Sequence, residues 1–284
     1  MKIRELIRRS SEFLRSRGIE SHRLDSEVLL SHLLGINRER LYMELERDVE
    51  DEVINAFRYL LKRRSKGEPV AYITGKKEFM GFEFEVNPSV MIPRPETETL
   101  VEEAVLVAER AEARVAVDMC TGSGNVAVSL ALLCRFLFII ATDISPEAAT
   151  VAKRNTRKHG VEDRVVVIVG DRWAPFGKEP VDIMTCNPPY IPSSVLEGLT
   201  GKESLSYEPR LALDGGEDGL DFYRAVIPET AEHLRDGGVA MFEVGYGQAE
   251  RVISILQREG CWDRIWIKKD LNGFDRVVCG RKRG

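Results

Sequence analysis

Arg114-Val115-Ala116-Val117-Asp118-Met119-Cys120-Thr121-Gly122-Ser123-Gly124-Asn125-Val126-Ala127-Val128-Ser129-Leu130-Ala131-Leu132-Leu133 reads as a strand, a loop and a helix. Val115-Ala116-Val117 is a short apolar run of buried-strand type. Gly122 and Gly124 then break the run, and residues 125–133 form a helix. A glycine loop between a strand and a helix lets backbone approach a ligand closely, and the helix start offers free N–H groups to an anion. Gly122-Ser123-Gly124-Asn125-Val126-Ala127 fits a dinucleotide-type fingerprint. Taken alone, it does not separate NAD from S-adenosyl-L-methionine, and a tight turn with no ligand has the same form.

The alternation continues on both sides. Upstream, residues 97–111 predict a helix. Downstream, strands are predicted at 136–143, 165–169, 181–186 and 238–244, with helices at 146–159, 223–234 and 248–259. Strands 262–268 and 275–279 close the chain. Only six residues separate them, too few for a crossover helix, so the last strand runs antiparallel. The expected fold is α/β, a Rossmann-like, mostly parallel sheet with a terminal antiparallel strand. Before it, residues 1–75 carry apolar positions at helical spacing, such as Ile3, Leu6, Ile7, Phe13 and Leu14, and predict a small all-helical domain. Gly67-Glu68-Pro69 is expected to end its last helix. Residues 76–90 alternate around Gly81 and predict a β-hairpin linker. The catalytic domain is expected at 91–284.

Composition narrows the function classes. The 284 residues carry a net charge of −5. An enzyme gripping nucleic acid through its phosphates is usually more basic, so no direct nucleic-acid binding is expected. Five cysteines without a Cys-x-x-Cys pair and four histidines show no metal-ligand spacing. No metal is expected, and the thiols fit a reducing compartment. The charged start Met1-Lys2-Ile3-Arg4-Glu5 has no apolar core behind it, and the longest apolar stretch, residues 136–141, is strand-sized. A cytoplasmic protein is the expectation.

Each strand end adds a candidate contact, since ligands of open α/β sheets sit at the carboxyl ends of strands. Cys120, Thr121, Gly122, Ser123 and Gly124 follow the first strand. Asp143 follows the second and can accept ribose hydroxyls; it can equally help start the next helix with Ser145 and Pro146. Asp171 and Arg172 follow the third, where an adenine would lie, and Trp173 is a candidate stacking surface.

Asn187-Pro188-Pro189-Tyr190 follows the fourth strand and is the most specific motif in the chain. A planar amide or amine nitrogen is a poor nucleophile because its lone pair is delocalised. The Asn187 side-chain carbonyl and the Pro188 backbone carbonyl can each accept one N–H of an incoming NH2 group. That fixes its plane and draws electron density onto nitrogen. Pro188 and Pro189 stiffen the loop, and the Tyr190 ring can pack on the amide face. Asn187 is also expected among the cofactor-binding residues. The chemistry indicated is S-adenosylmethionine-dependent methylation of nitrogen.

With those residues in place, the chain resembles the protein-(glutamine-N5) methyltransferases of peptide chain release factors, the HemK or PrmC family. The resemblance extends over Glu68-Pro69-Val70-Ala71-Tyr72-Ile73-Thr74-Gly75, Glu78-Phe79-Met80-Gly81 and Ile92-Pro93-Arg94-Pro95-Glu96-Thr97-Glu98. It includes Asn187 to Tyr190, Tyr207-Glu208-Pro209 and Gly215-Gly216-Glu217-Asp218-Gly219-Leu220. It implies S-adenosyl-L-methionine as cofactor and class I release factors as partners. The implied substrate is the glutamine of their Gly-Gly-Gln loop, with the helical domain helping to dock them. Two departures stand out: Cys120 occupies the usual place of the loop's first glycine, and Arg172 a usually apolar or aromatic place. An adenine-N6 methyltransferase acting on nucleic acid would also use Asn-Pro-Pro-Tyr, but needs a flipped base and a basic surface. A non-catalytic docking module would not need the intact motif.

Overall fold

The computed structural model describes residues 1–177, 179–199 and 204–284, which fall into two compact units. The first comprises Met1–Lys76 with Leu199–Tyr207. Its helices are α1 (Ile3–Ser16), α2 (His22–Leu34), α3 (Arg38–Met43), α4 (Asp51–Arg64) and α5 (Val70–Thr74). They enclose one core built from Ile3, Leu14, Leu29, Leu30, Leu41 and Phe57. Gly35 caps α2 in the left-handed conformation. Gly67-Glu68-Pro69 does not end the last helix: Pro69 is the residue before α5, where its fixed φ of −60° suits a helix entry.

The second unit comprises Lys77–Gly198 and Glu208–Gly284. It starts at a hairpin, β1 (Lys76–Phe79) and β2 (Phe82–Glu85). Met80 and Gly81 both have positive φ (52° and 76°), the backbone a two-residue hairpin turn demands. Phe79 and Phe84 are buried in the core of this unit, so the hairpin belongs to its packing.

The chain then runs α6 (Glu98–Arg110), β3 (Val115–Met119), α7 (Asn125–Leu133), β4 (Phe138–Asp143), α8 (Pro146–Lys158), β5 (Val165–Val169) and β6 (Val181–Cys186). It continues with α9 (Ser193–Glu197), α10 (Asp221–His233), β7 (Leu234–Glu243), α11 (Ala249–Glu259), β8 (Trp262–Lys269) and β9 (Asp275–Lys282). The sheet order is β5-β4-β3-β6-β7-β9-β8; β9 pairs antiparallel with β7 and β8, and the other pairings are parallel. Successive strand residues serve opposite faces. Ala116, Met241 and Cys279 pack with α6, α7 and α8, whereas Val117, Phe242 and Val278 pack with α10 and α11. Burial on both faces explains why these strands read as continuous apolar runs. The order reverses between β3 and β6, so the loops after these two strands flank the switch point where open α/β sheets place ligands.

Candidate active site

A cavity of about 210 Å³ opens at that switch point, within the second unit. Cys120, Thr121, Gly122, Ser123, Asp143, Asp171, Arg172, Asn187 and Pro189 all line it, so the fold gathers the ends of four strands around one space. Gly124, Pro188 and Tyr190 are chain neighbours of residues that line it.

The glycine loop is held by side chains on three elements. Asp143 accepts from the Gly122 N–H and the Ser145 N–H, both at 2.9 Å. Burial raises its carboxyl above the ordinary range, against the pull of those N–H groups. Ser145 caps α8 by accepting from Ala148 N at 3.1 Å, with Pro146 in the first turn, so the capping side chain is that of Ser145. Asp118 accepts from the hydroxyls of Thr121 (2.6 Å) and Thr185 (2.8 Å), and burial lifts its pKa to about 6. Asn155 of α8, fully buried, donates to Ser123 O and exchanges hydrogen bonds with both backbone groups of Glu85 on β2. Gly124 has a packing reason as well: at φ +79°, an added Cβ would lie 3.1 Å from Ala152 Cβ of α8. The N-cap of α7, Gly124, brings no side chain to the helix start, and in the first turn the Ala127 N–H is turned to the Asp118 carboxylate.

Cys120 adopts φ +59°, in the left-handed region. A glycine would sit there without the cost of about 1–2 kcal/mol that an L side chain incurs. Cys120→Gly is therefore expected to be at least as stable as the parent, while Cys120→Val, β-branched, loses about 2 kcal/mol. Thermal unfolding of the two variants decides it; a less stable glycine variant would show that thiol packing outweighs backbone strain. Arg172 also has positive φ (46°), and its guanidinium pairs with Asp171 and Glu229. Trp173 does not supply the stacking surface expected of it. It is buried in the core beneath α10, donates to Thr230 Oγ1 at 3.0 Å and stacks on His233. An indole after an apolar strand gains more from burial than from an open crevice.

Asn187 holds the most informative contact. Its Nδ2 donates to Thr97 Oγ1 at 3.1 Å, while its Oδ1, buried, has no hydrogen-bond partner among the described residues. A buried acceptor left open costs about 1–3 kcal/mol, so it marks a place where a donor is to arrive. Behind it, Tyr190 donates to Glu243 Oε1 at 3.3 Å, and burial raises its phenol pKa. Three glycines close around this tyrosine. A Cβ at Gly215, Gly219 or Gly245 would come within 3.0 Å of Tyr190. Gln248 then ties Tyr190 O to the Gly245 N–H. The Ile92-to-Glu98 segment is anchored by buried Glu208, which accepts from Ile92 N at 2.9 Å and pairs with Arg94.

Thr97, Glu208, Glu243 and Gln248 were not singled out as site residues in the sequence. Glu243 carried a signal: a lone carboxylate in the apolar run Val239-Ala240-Met241-Phe242-Glu243-Val244. For the other three, only pairing across the fold shows the role.

A seven-stranded sheet with one antiparallel insertion and a cavity between the glycine loop and Asn-Pro-Pro-Tyr defines a Rossmann-like methyltransferase. Among solved structures, the Mettl16 catalytic domain in complex with an RNA hairpin shares this fold (TM-score 0.58, 12% identity, 85% of this chain and 86% of that one). So does a methyltransferase from Pyrococcus furiosus (TM-score 0.51, 16% identity, 78% and 99%). Residues 5–75 match the PrmC N-terminal domain family, and residues 97–205 the methyltransferase small domain family. The release factor glutamine methyltransferase of Geobacter sulfurreducens is 43% identical over 98% of this chain and 96% of its own length. That of Moorella thermoacetica is 38% identical over 100% and 99%. This chain belongs to the release factor glutamine methyltransferase family.

Proposed function

We propose that this protein methylates the side-chain amide nitrogen of the glutamine in the Gly-Gly-Gln loop of class I peptide chain release factors, with S-adenosyl-L-methionine as cofactor. The buried, unpartnered Oδ1 of Asn187, a residue that lines the cavity, carries this reading. The cavity fits such a cofactor: an uncapped helix start suits its carboxylate, and the oxygens of Asp143 suit its ribose. Asp171 and the Arg172 backbone border the place for its adenine, and Cys120 to Gly124 would hold its amino-acid end. When bound, the cofactor supplies a methyl group on a positively charged sulfur. Asn187 Oδ1 and the Pro188 carbonyl accept the two N–H groups of the glutamine amide and turn its lone pair toward that carbon. Pro189 and Tyr190 keep the loop rigid behind them. The amide nitrogen held by Asn187 and Pro188 would take up the methyl group supplied there and, made acidic, would release one proton. No strong base is needed.

The helical unit, residues 1–75, is assigned to docking the release factor, since it carries no motif of the chemistry. The hairpin, expected as a linker at 76–90 before a catalytic domain at 91–284, is counted with the catalytic unit, whose core holds Phe79 and Phe84. The net charge of −5 supports protein rather than nucleic acid as partner. No helix among the described residues is long and apolar enough to cross a membrane; we place the protein in the cytoplasm, with its substrate. The test is incubation with S-adenosylmethionine and either a whole release factor or a DNA duplex, followed by mass mapping. Methyl on the Gly-Gly-Gln glutamine is the expected result; methyl on adenine alone would overturn it. A chain beginning at Lys77 is expected to bind cofactor but modify the whole factor slowly, and full activity would refute the docking role.

A further inference from the structure

We propose that Glu243, at the end of β7, is a positioning residue that sets which way the Asn187 amide faces. The inference rests on the acceptor role given to Asn187 above. Glu243 is fully buried; its Oε1 meets the Tyr190 hydroxyl, and its Oε2 has no hydrogen-bond partner among the described residues. The Thr97 hydroxyl faces the same carboxylate and favours its ionised form. Thr97 Oγ1 is also the atom that accepts from Asn187 Nδ2.

A hydroxyl has one proton to give. Directed at the Glu243 carboxylate, that proton leaves only lone pairs for Asn187. The amide must then present its NH2 to Thr97, which sends Oδ1 to the opposite side. Turned over, it would set oxygen lone pairs against oxygen lone pairs. The negative charge of Glu243, on the far side of Thr97 from Asn187 in this series of contacts, therefore decides that an acceptor, rather than a donor, meets the substrate.

Titration follows from the surroundings. Arg276 on β9 and the Tyr190 hydroxyl favour the ionised carboxylate, and Glu96 opposes it. Tyr223 and Cys186, both buried nearby, hold their own acidic protons tightly, chiefly through burial, and its charge adds to that. Burial outweighs the rest and lifts the Glu243 pKa to about 7. Protonated, Glu243 can donate to Thr97. The hydroxyl is then free to donate to Asn187, and the polarity of the chain reverses. The raised pKa places the working form above neutrality, so turnover falls as pH drops through about 7.

Two measurements on the full-length protein test this. The first needs no substrate: the Asn187 side-chain NH2 resonances should shift with a midpoint near pH 7, and Glu243→Gln should abolish that shift. Resonances that titrate identically in Glu243→Gln overturn the proposal. The second is kinetic. Glu243→Gln should lower kcat about tenfold or more, with KM and cofactor affinity little changed and the acid limb of the profile gone. Thr97→Ser should retain activity. Adding Glu243→Gln to Thr97→Val should cost nothing further, because the path is already cut. Additive losses, or wild-type kcat in Glu243→Gln, overturn it. Unchanged cofactor binding confirms that each variant is folded. A wild-type protein whose Asn187 signals titrate as expected, but which leaves the release-factor glutamine unmodified, would refute the proposed function and not the positioning.

Discussion

Asn187→Ala is expected to slow single-turnover methylation about a hundredfold, equivalent to roughly 3 kcal/mol, with cofactor affinity within about twofold of wild type. The two effects separate because the contacts proposed for the cofactor lie mainly elsewhere, at Gly122 to Gly124 and Asp143. What the substitution removes is the open Oδ1 and, with it, the plane of the incoming amide. Asn187→Asp keeps an acceptor oxygen at similar volume but no longer donates to Thr97 Oγ1, so an intermediate loss is expected. Single-turnover rate and calorimetric cofactor binding on the same preparations give both numbers. A wild-type rate in Asn187→Ala would leave family membership standing and remove the mechanism.

Arg94→Ala is expected to destabilise the catalytic unit by about 3 kcal/mol. Arg94 is partly exposed, but the Glu208 side chain it pairs with has no solvent exposure. Removing the cation leaves a buried carboxylate with the Ile92 N–H. For a chain of this length the loss corresponds to a fall in melting temperature of roughly 6–12 °C. Glu208→Gln in the Arg94→Ala background should recover part of it, because the stranded charge is then gone. A melting temperature unchanged in Arg94→Ala would mean that water reaches Glu208 freely, and the anchoring of residues 92–98 would need another cause.

The catalytic unit was legible wherever one segment decides its own structure. Residues 125–133, 165–169 and 181–186 match α7, β5 and β6 end to end, with Gly124, Arg164, Gly170 and Pro180 marking four of the six bounds. The antiparallel ending was legible from loop length alone. Legibility fails where distant residues settle the matter. Pro69 read as a terminator, yet the helix it starts packs Ile73 into the first unit's core. Trp173 read as a ligand surface because sequence shows that an indole is near a strand end, not which way it turns. Thr97 is 90 residues from Asn187, and Glu208 is 114 from Arg94; no periodicity relates such pairs. The cavity loops were visible as motifs, while the side chains that orient them were not.

The Asn155 amide joins two segments that the motif reading kept apart. One side chain satisfies the carbonyl of Ser123 in the glycine loop and both backbone groups of Glu85 in the hairpin. Opening either partner leaves a buried amide short of its hydrogen bonds, so the two cannot loosen independently without that penalty. Free energy from a ligand seated on the loop is thereby shared with the hairpin, through linkage rather than contact. A hairpin remote from the chemistry then opens less often when the enzyme is loaded, and its amide protons exchange with solvent more slowly.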